Sequence, residues 1–435
     1  MRWIAWIAAL LAWATPAAAT TGMPPVLPLR EQAATIDRIV RERLDTVVPR
    51  IMRERGVDMW VLVARENFEE PALATMLDAR SMAARRRTIL LFFDPGGGKP
   101  VERLSVSRYG LGGLFAPAWT PEKQPDQWAR LAELIAERKP RRIAINVSSA
   151  SAYADGMTLS AHEEMLAALA PEWRARVVRD PALAIRWLET RTAAERAIYP
   201  GIVRIAHAIL AEGLSRKAVT PGRTTTDDLV WWFRERIRGL GLETWFHPSV
   251  AVQRRGATGE LSGNTVIQPG DLIWTDFGIR YLRLTTDTQQ NAYVLRAGER
   301  EAPKGLRDGL AAANRVQDAL TRAFRAGDSG NAVLARARAA ALAEGLSPSI
   351  YSHPIGTHGH GAGPSIGFWD NQAADPRGEG LLHPDTAWSI ELSATVAVPE
   401  WGGQRVAFKT EEDAFFDGKT VDYLDGRQTE LFLIP

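Results

Sequence analysis

Apolar residues recur along the chain with two different periods, and the change of pattern divides it in two. From residue 30 to about 55, charged and apolar positions interleave at helical spacing and predict a long amphipathic helix. Residues 58–63, Asp-Met-Trp-Val-Leu-Val, follow as a buried strand, and residues 88–93 as a second one that ends in Asp94-Pro95 and three glycines. Lys99 after that glycine run imitates a phosphate loop. Pro100 stands where Ser or Thr would be needed and no helix opens there, so a hairpin turn is expected. A helix over 128–137 and a strand over 142–147 continue the alternation, which makes residues 28–184 an α/β domain.

Near residue 185 the pattern changes. A long helix over 193–216 is broken by Thr220-Pro221-Gly222, and a second runs over 226–238. A hairpin is expected around 271–295, with a strand over 279–284 inside it, then helices over about 305–326 and 330–344. The last hundred residues are glycine-rich strands and loops. Residues 185–435 therefore read as α+β, with the strands forming one curved sheet that helices cover on one face. There is no tandem repeat.

Composition adds constraints. A length of 435 residues suits two cores rather than one, and 46% hydrophobic with 24% charged residues marks a folded chain. The formal net charge is only +2, and the run Ala83-Ala84-Arg85-Arg86-Arg87 is short and lies between apolar stretches. It is expected to be a solvated face, and no nucleic-acid surface is expected. Of the 15 tryptophans, most are expected in the core and several in a substrate cleft. Met1-Arg2, an apolar run over 3–14 and Pro16-Ala17-Ala18-Ala19 have the form of a signal peptide, cleaved near Ala19. That run is too short for a stable membrane anchor, so the mature protein is expected to be exported, periplasmic or secreted. With no cysteine there can be no thiolate ligand, cysteine nucleophile or disulfide.

Three clusters carry chemistry. Residues 270–278 read as a turn and a buried strand ending in Asp276; a carboxylate there is costly unless paired or bound to metal. Asp287 follows eleven residues later, and a hairpin can set the two side by side, where both stay ionised only with a cation between them. The Asp-Phe-Gly step also occurs in kinases, but no catalytic-loop or lysine-strand partner is present. His353, His358 and His360 lie within eight residues and beside glycines. Finally, Glu391 in Trp388-Ser389-Ile390-Glu391-Leu392 and Glu411 in Lys409-Thr410-Glu411-Glu412 place acids in apolar strands. Together these offer an oxygen-rich set with imidazole for one or two Mn, Co, Zn or Fe ions.

In order and spacing this set resembles the pita-bread metallopeptidases: methionine aminopeptidases, Xaa-Pro aminopeptidases, prolidases and their creatinase relatives. Their five ligands run Asp, Asp, His, Glu, Glu, matched here by Asp276, Asp287, His353, Glu391 and Glu411. The family's second histidine, seven residues after the ligand, falls on His360. Two histidine registers compete, because Gly359-His360-Gly361-Ala362-Gly363 also resembles a ligand motif; only the His353 register supplies a second histidine. Glu412 rivals Glu411. The family's substrate-binding histidine before the first Asp falls on Gly259, which leaves His247 upstream as the candidate, and Lys409 stands where relatives carry arginine. The segment before residue 185 resembles the creatinase-type amino-terminal domain in layout.

The resemblance implies an exopeptidase with two divalent ions that hydrolyses an N-terminal peptide bond, Xaa-Pro foremost. Glu391 would be both ligand and general acid/base, His360 would steady the oxyanion, and His247, His360 and Lys409 would contact substrate. The alternatives are a creatinase-like amidohydrolase of a small non-peptide amide, and an inactive binding or scaffold protein of the same fold. A homodimer is a family-level expectation.

Overall fold

The computed structural model describes residues 22–435, so the apolar run and the expected cleavage near Ala19 lie outside the described residues. Among the described residues no helix is long and apolar enough to cross a membrane.

The amino-terminal part is built on a six-stranded sheet. Its central strands, Met59–Arg65 and Arg87–Phe93, are antiparallel, and Met59–Arg65 also pairs in parallel with Ile143–Ile145. Apart from Arg65, Arg87 and Thr88 at one end, these strands are apolar because both faces are covered. Trp60 and Leu62 pack with Val40, Leu44 and Val48 of the helix Leu29–Glu54. Met59 and Val61 pack with Trp128, Leu131 and Ile135 of the helix Gln127–Arg138. The sheet is thus mixed, and the turn after Phe93 is the hairpin that Pro100 implies, leading into Glu102–Ser105.

A buried ion cluster ties this part to the rest. Arg43, on the first helix, lies 2.7 Å from Glu195 and donates to the Thr190 carbonyl at 2.6 Å. Glu195 caps the helix Ala193–Gly213 in a capping box with Thr192 and also binds Arg191 at 2.8 Å. Burial lowers the Arg43 pKa to about 10, and Glu195 opposes that shift.

The carboxy-terminal part is α+β with antiparallel strands, as expected, but its strands fall into several short sheets rather than one. Leu272–Phe277 and Thr288–Val294 pair antiparallel between two helical layers. Ile273, Phe277 and Ala292 face the helices Ala193–Gly213 and Thr226–Gly239, while Leu272 and Tyr293 face Lys304–Ala323 and Gly330–Ala343. Three further chain segments each form two strands with a two-residue break. They are Pro348–Ile350 with His353–Ile355, Thr386–Ser389 with Leu392–Val398, and Gln404–Thr410 with Asp413–Phe416. One half of each segment joins a three-stranded sheet and the other half a four-stranded one. Backbone bonds span the breaks, from Ile390 N–H to Glu412 O at 2.9 Å and from Tyr351 N–H to Glu391 O at 3.2 Å. The paired segments therefore kink along a common line.

The strand expected over 279–284 is instead a tight hairpin of Arg280–Tyr281 and Leu284–Thr285. Leu282 and Arg283 at its tip have φ of 51° and 64°, a turn geometry that Gly or Asn usually signals and these residues do not.

Two outcomes are expected in chemical denaturation. Arg43→Ala leaves buried Glu195 with one cation fewer and should cost about 3–5 kcal/mol; a loss under about 1 kcal/mol would contradict the role of this clamp. Glu70, fully buried and bonded to Leu73 N–H and Asn146, has its pKa raised by burial to about 7. The folded chain then keeps a proton that the unfolded chain loses above about pH 4.3. This group's contribution therefore falls as pH rises from there to about 7. Glu70→Gln should flatten that slope in stability measured against pH.

Candidate metal centre

The line of breaks is where the acids gather. On Leu272–Phe277, Trp274 and Asp276 share a face, opposite Asn291 and Gln289 of the neighbouring strand. Asp287 stands one residue before that strand, and its N–H donates to the Asp413 carboxylate at 3.2 Å. The residues before it are pinned from two sides: Thr285 N–H donates to Gly356 O at 2.7 Å, and the Tyr199 hydroxyl to Thr285 O at 2.6 Å. Glu391 and Glu411 occupy two of the three breaks, and His353 begins the strand after the third.

The imidazole of His353 faces three of these acids. Its Nδ1 is 3.0 Å from the Pro354 carbonyl, which can only accept, so Nδ1 donates there and Nε2 is the nitrogen turned toward the acids. Nε2 lies 3.7 Å from Asp287, 3.7 Å from Glu391 and 3.5 Å from Glu411, yet has no hydrogen-bond partner. Asp276 Oδ1 and Asp287 Oδ1 are buried and unpartnered as well. Burial, then the Glu411 charge, pushes the pKa values of Asp276, Asp287 and Glu391 well above the carboxylate range. Buried donor atoms that converge without partners, among groups that repel one another, fit a divalent cation, whose charge reverses that repulsion.

Donor atoms within 4.8 Å of one another form three overlapping groups: Asp276, Asp287 and Glu411; His353, Glu391 and Glu411; and Asp287, His353 and His360. Glu411 belongs to two of them. Glu412, its rival, points the other way and binds His207 at 2.9 Å and the Gln428 N–H at 2.9 Å. Of the competing histidines, His358 joins no such group among the described residues and packs on Tyr153, with ring centroids 4.8 Å apart. His360 stands perpendicular to His353 at 4.8 Å and against Trp245 at 5.2 Å. Its pKa is lowered by burial and then by His353.

Two residues expected at the substrate lie elsewhere or are already paired. His247 is exposed and packs on the helix Thr226–Gly239, with Nδ1 3.0 Å from Arg234 and its ring 5.4 Å from Trp231. It belongs to none of the groups. The Lys409 ammonium is 2.8 Å from Glu260 and 4.0 Å above the Trp274 ring.

Residues 201–408 match the model of metallopeptidase family M24. This region belongs to that family. The chain has the pita-bread fold, preceded by the amino-terminal sheet. It is similar to an X-Pro aminopeptidase of Thermotoga maritima at 16% identity and TM-score 0.63, over 88% of this chain and 99% of that one. A dipeptidase of Pyrococcus horikoshii is similar at 19% identity and TM-score 0.59, over 90% of this chain and 100% of that one. A putative aminopeptidase P of Bacillus anthracis aligns over 91% of this chain and 96% of its own, with 12% identity and TM-score 0.60. No curated protein sequence matches the chain.

Within this M24 region, three residues near the acids escaped the sequence reading. Gln289 is buried, and its amide N–H₂ donates to Glu391 and, at 2.8 Å, to Glu411; its Oε1 accepts from the Trp274 indole at 2.9 Å. Its signal is visible in hindsight: Thr288-Gln289-Gln290-Asn291 is a polar run inside a fully buried strand. Tyr351 is the second; burial and then Glu391 raise its phenol pKa. Trp245 is the third, wedged with its indole N–H on the Thr286 carbonyl at 2.9 Å. A Cβ on Gly359 would come within 2.1 Å of Trp245, and one on Gly278 within 2.6 Å of its indole nitrogen, so glycine is needed on both sides.

Gln289→Leu should leave the fold intact by circular dichroism while freeing both glutamates to move. The expected result is about 10–100-fold weaker divalent-metal binding in calorimetric titration, and unchanged affinity would show that the amide does not position them.

Proposed function

We propose that the chain is a metal-dependent exopeptidase that hydrolyses an N-terminal peptide bond, with Xaa-Pro peptides as the substrate class. The observation that carries this reading is the meeting of Asp276, Asp287, His353, Glu391 and Glu411 around unpartnered donor atoms. These five residues would hold two divalent ions, Mn, Co, Zn or Fe, with Glu411 shared between the two groups. Such ions, when bound, supply Lewis acidity at the scissile carbonyl and lower the pKa of water beside it.

The protein's own groups do the rest. Glu391 is less enclosed than Asp287 and Glu411, so its carboxylate meets both the cluster and solvent. It takes the proton of the attacking water and passes it to the leaving amine. His360, exposed beside His353 and neutral, donates a hydrogen bond to the oxygen that gains charge. Trp245 and Phe246, with ring centroids 4.4 Å apart, offer an apolar wall beside His360 that suits a pyrrolidine ring. The named activities of the similar structures support a peptide substrate. The amino-terminal signal pattern supports export to the periplasm or beyond.

The test uses metal-stripped protein reloaded with Mn, Co or Zn and assayed on Xaa-Pro peptides. Asp276→Asn should abolish metal retention by elemental analysis. Glu391→Gln should lower kcat by about a thousandfold with the fold intact. A chain that binds no ion and gains no activity on loading would overturn the proposal.

A further inference from the structure

The arginine run of the amino-terminal part is solvated, as expected, but the surface it lies on is concave. Arg80, Arg85, Arg86, Arg87 and Arg108, with Tyr109, line one open cavity of about 790 Å³. That volume lies within the range of small-molecule sites.

The acids around the cavity are committed elsewhere. Asp78, in its wall, accepts hydrogen bonds from the N–H groups of Arg80 and Ser81 and from the Ser81 hydroxyl. Glu69 accepts from the Ala84 N–H at 3.0 Å, and Glu66 from the Arg86 N–H at 3.0 Å. These bonds hold the carboxylates on the loop backbone, out of direct pairing with its guanidinium groups. Arg87 pairs with Glu164 and Arg108 with Glu122, both at 2.9 Å. Arg80, Arg85 and Arg86 pair with no acid among the described residues, although each lines the same concavity.

The loop is also held in place rather than free to splay its charges. Arg86 sits in the left-handed region at φ 54°, with the Glu66 N–H bonded to its carbonyl at 2.6 Å. Arg283, at the tip of the 280–285 hairpin, donates to the carbonyls of Leu77 and Asp78 at 2.6 and 3.2 Å.

Exposure lets water and salt screen much of the repulsion between these cations. A concave wall focuses what remains. Guanidinium groups present planar pairs of donors that match carboxylate and phosphate oxygens. We propose that this cavity is a binding site for a small, multiply charged anion bearing carboxylate or phosphate groups. The site is separate from the proposed peptidase centre, and its test does not depend on hydrolysis.

Isothermal titration of the metal-stripped full chain at low ionic strength would use inorganic pyrophosphate and triglutamate as probes. At least one should bind with a dissociation constant of about 1 mM or tighter, and binding should weaken as NaCl is added. Pyrophosphate alone would assign the phosphate source, triglutamate alone the carboxylate source, and both a site for either. The double substitution Arg85→Gln with Arg86→Gln should reduce affinity about tenfold or more. Its thermal midpoint should match that of the parent chain, since neither side chain pairs with an acid among the described residues. An anion bound elsewhere would leave the affinity of the double variant unchanged. That result, or no binding of either probe at about 1 mM, would overturn the proposal.

Discussion

Several like charges share one buried space, and the carboxy-terminal architecture is arranged around holding them there. Asp276, Asp287, Glu391 and Glu411 repel one another, and burial strips away the water that would soften the repulsion. Asp413 sits just beneath them, its own pKa raised by the same burial. An apolar core cannot accept such a cluster, and an unbroken sheet would send neighbouring side chains to opposite faces. The interrupted strands are the structural answer. At each break the backbone leaves the regular ladder for two residues, which lets Glu391 and Glu411 meet His353 while cross-strand bonds continue.

The cluster is further restrained by neutral donors, which add no opposing charge. Gln289 spans Glu391 and Glu411, the Ser389 hydroxyl donates to Glu411 at 2.5 Å, and the Asp287 backbone binds Asp413. Cations stand one layer out. Lys409 reaches the set only across Trp274, whose indole holds Gln289, and His207 binds Glu412 on the far side of the strand. Its pKa is raised to about 10 because Glu412 and Asp425 outweigh its burial. This order keeps a permanent protein cation from filling the place where the free donor atoms converge. A lysine or arginine aimed into that gap would satisfy the acids and close it to a metal.

The parts legible in the sequence were those with local signatures. The first helix, the two apolar strands around Val61 and Leu91, and the helices of the carboxy-terminal part follow from period and caps. The acids were visible because each interrupts an apolar run. What was not legible depends on contacts between distant segments. The choice of Glu411 over Glu412 needs the strand's facing, which a break in regular pairing makes unreadable from alternation alone. His247 is adjacent in sequence to Phe246 and to Trp245, which packs on His360, yet Arg234 and Trp231 draw it onto a helix. Gln289 carries no motif, and the tight turn at Leu282 and Arg283 lacks the glycine that would announce it.

The amino-terminal part also reaches the carboxy-terminal cluster, through the short turn Ala152–Ala154. The Tyr153 hydroxyl donates to the His360 carbonyl and its ring stacks on His358, while Trp245 presses on the same loop from the other side. Residues 357–361 are therefore gripped between the two parts of the chain, with Gly359 against Trp245 and Gly361 against the Pro354 carbonyl. The Arg43 clamp and the Arg283 contacts fix the same two parts at separate points. A loop held from both sides keeps the His360 ring in register with His353 without a hydrogen bond between them. Orientation of the second histidine thus depends on packing between the two parts, not on the local sequence that carries it.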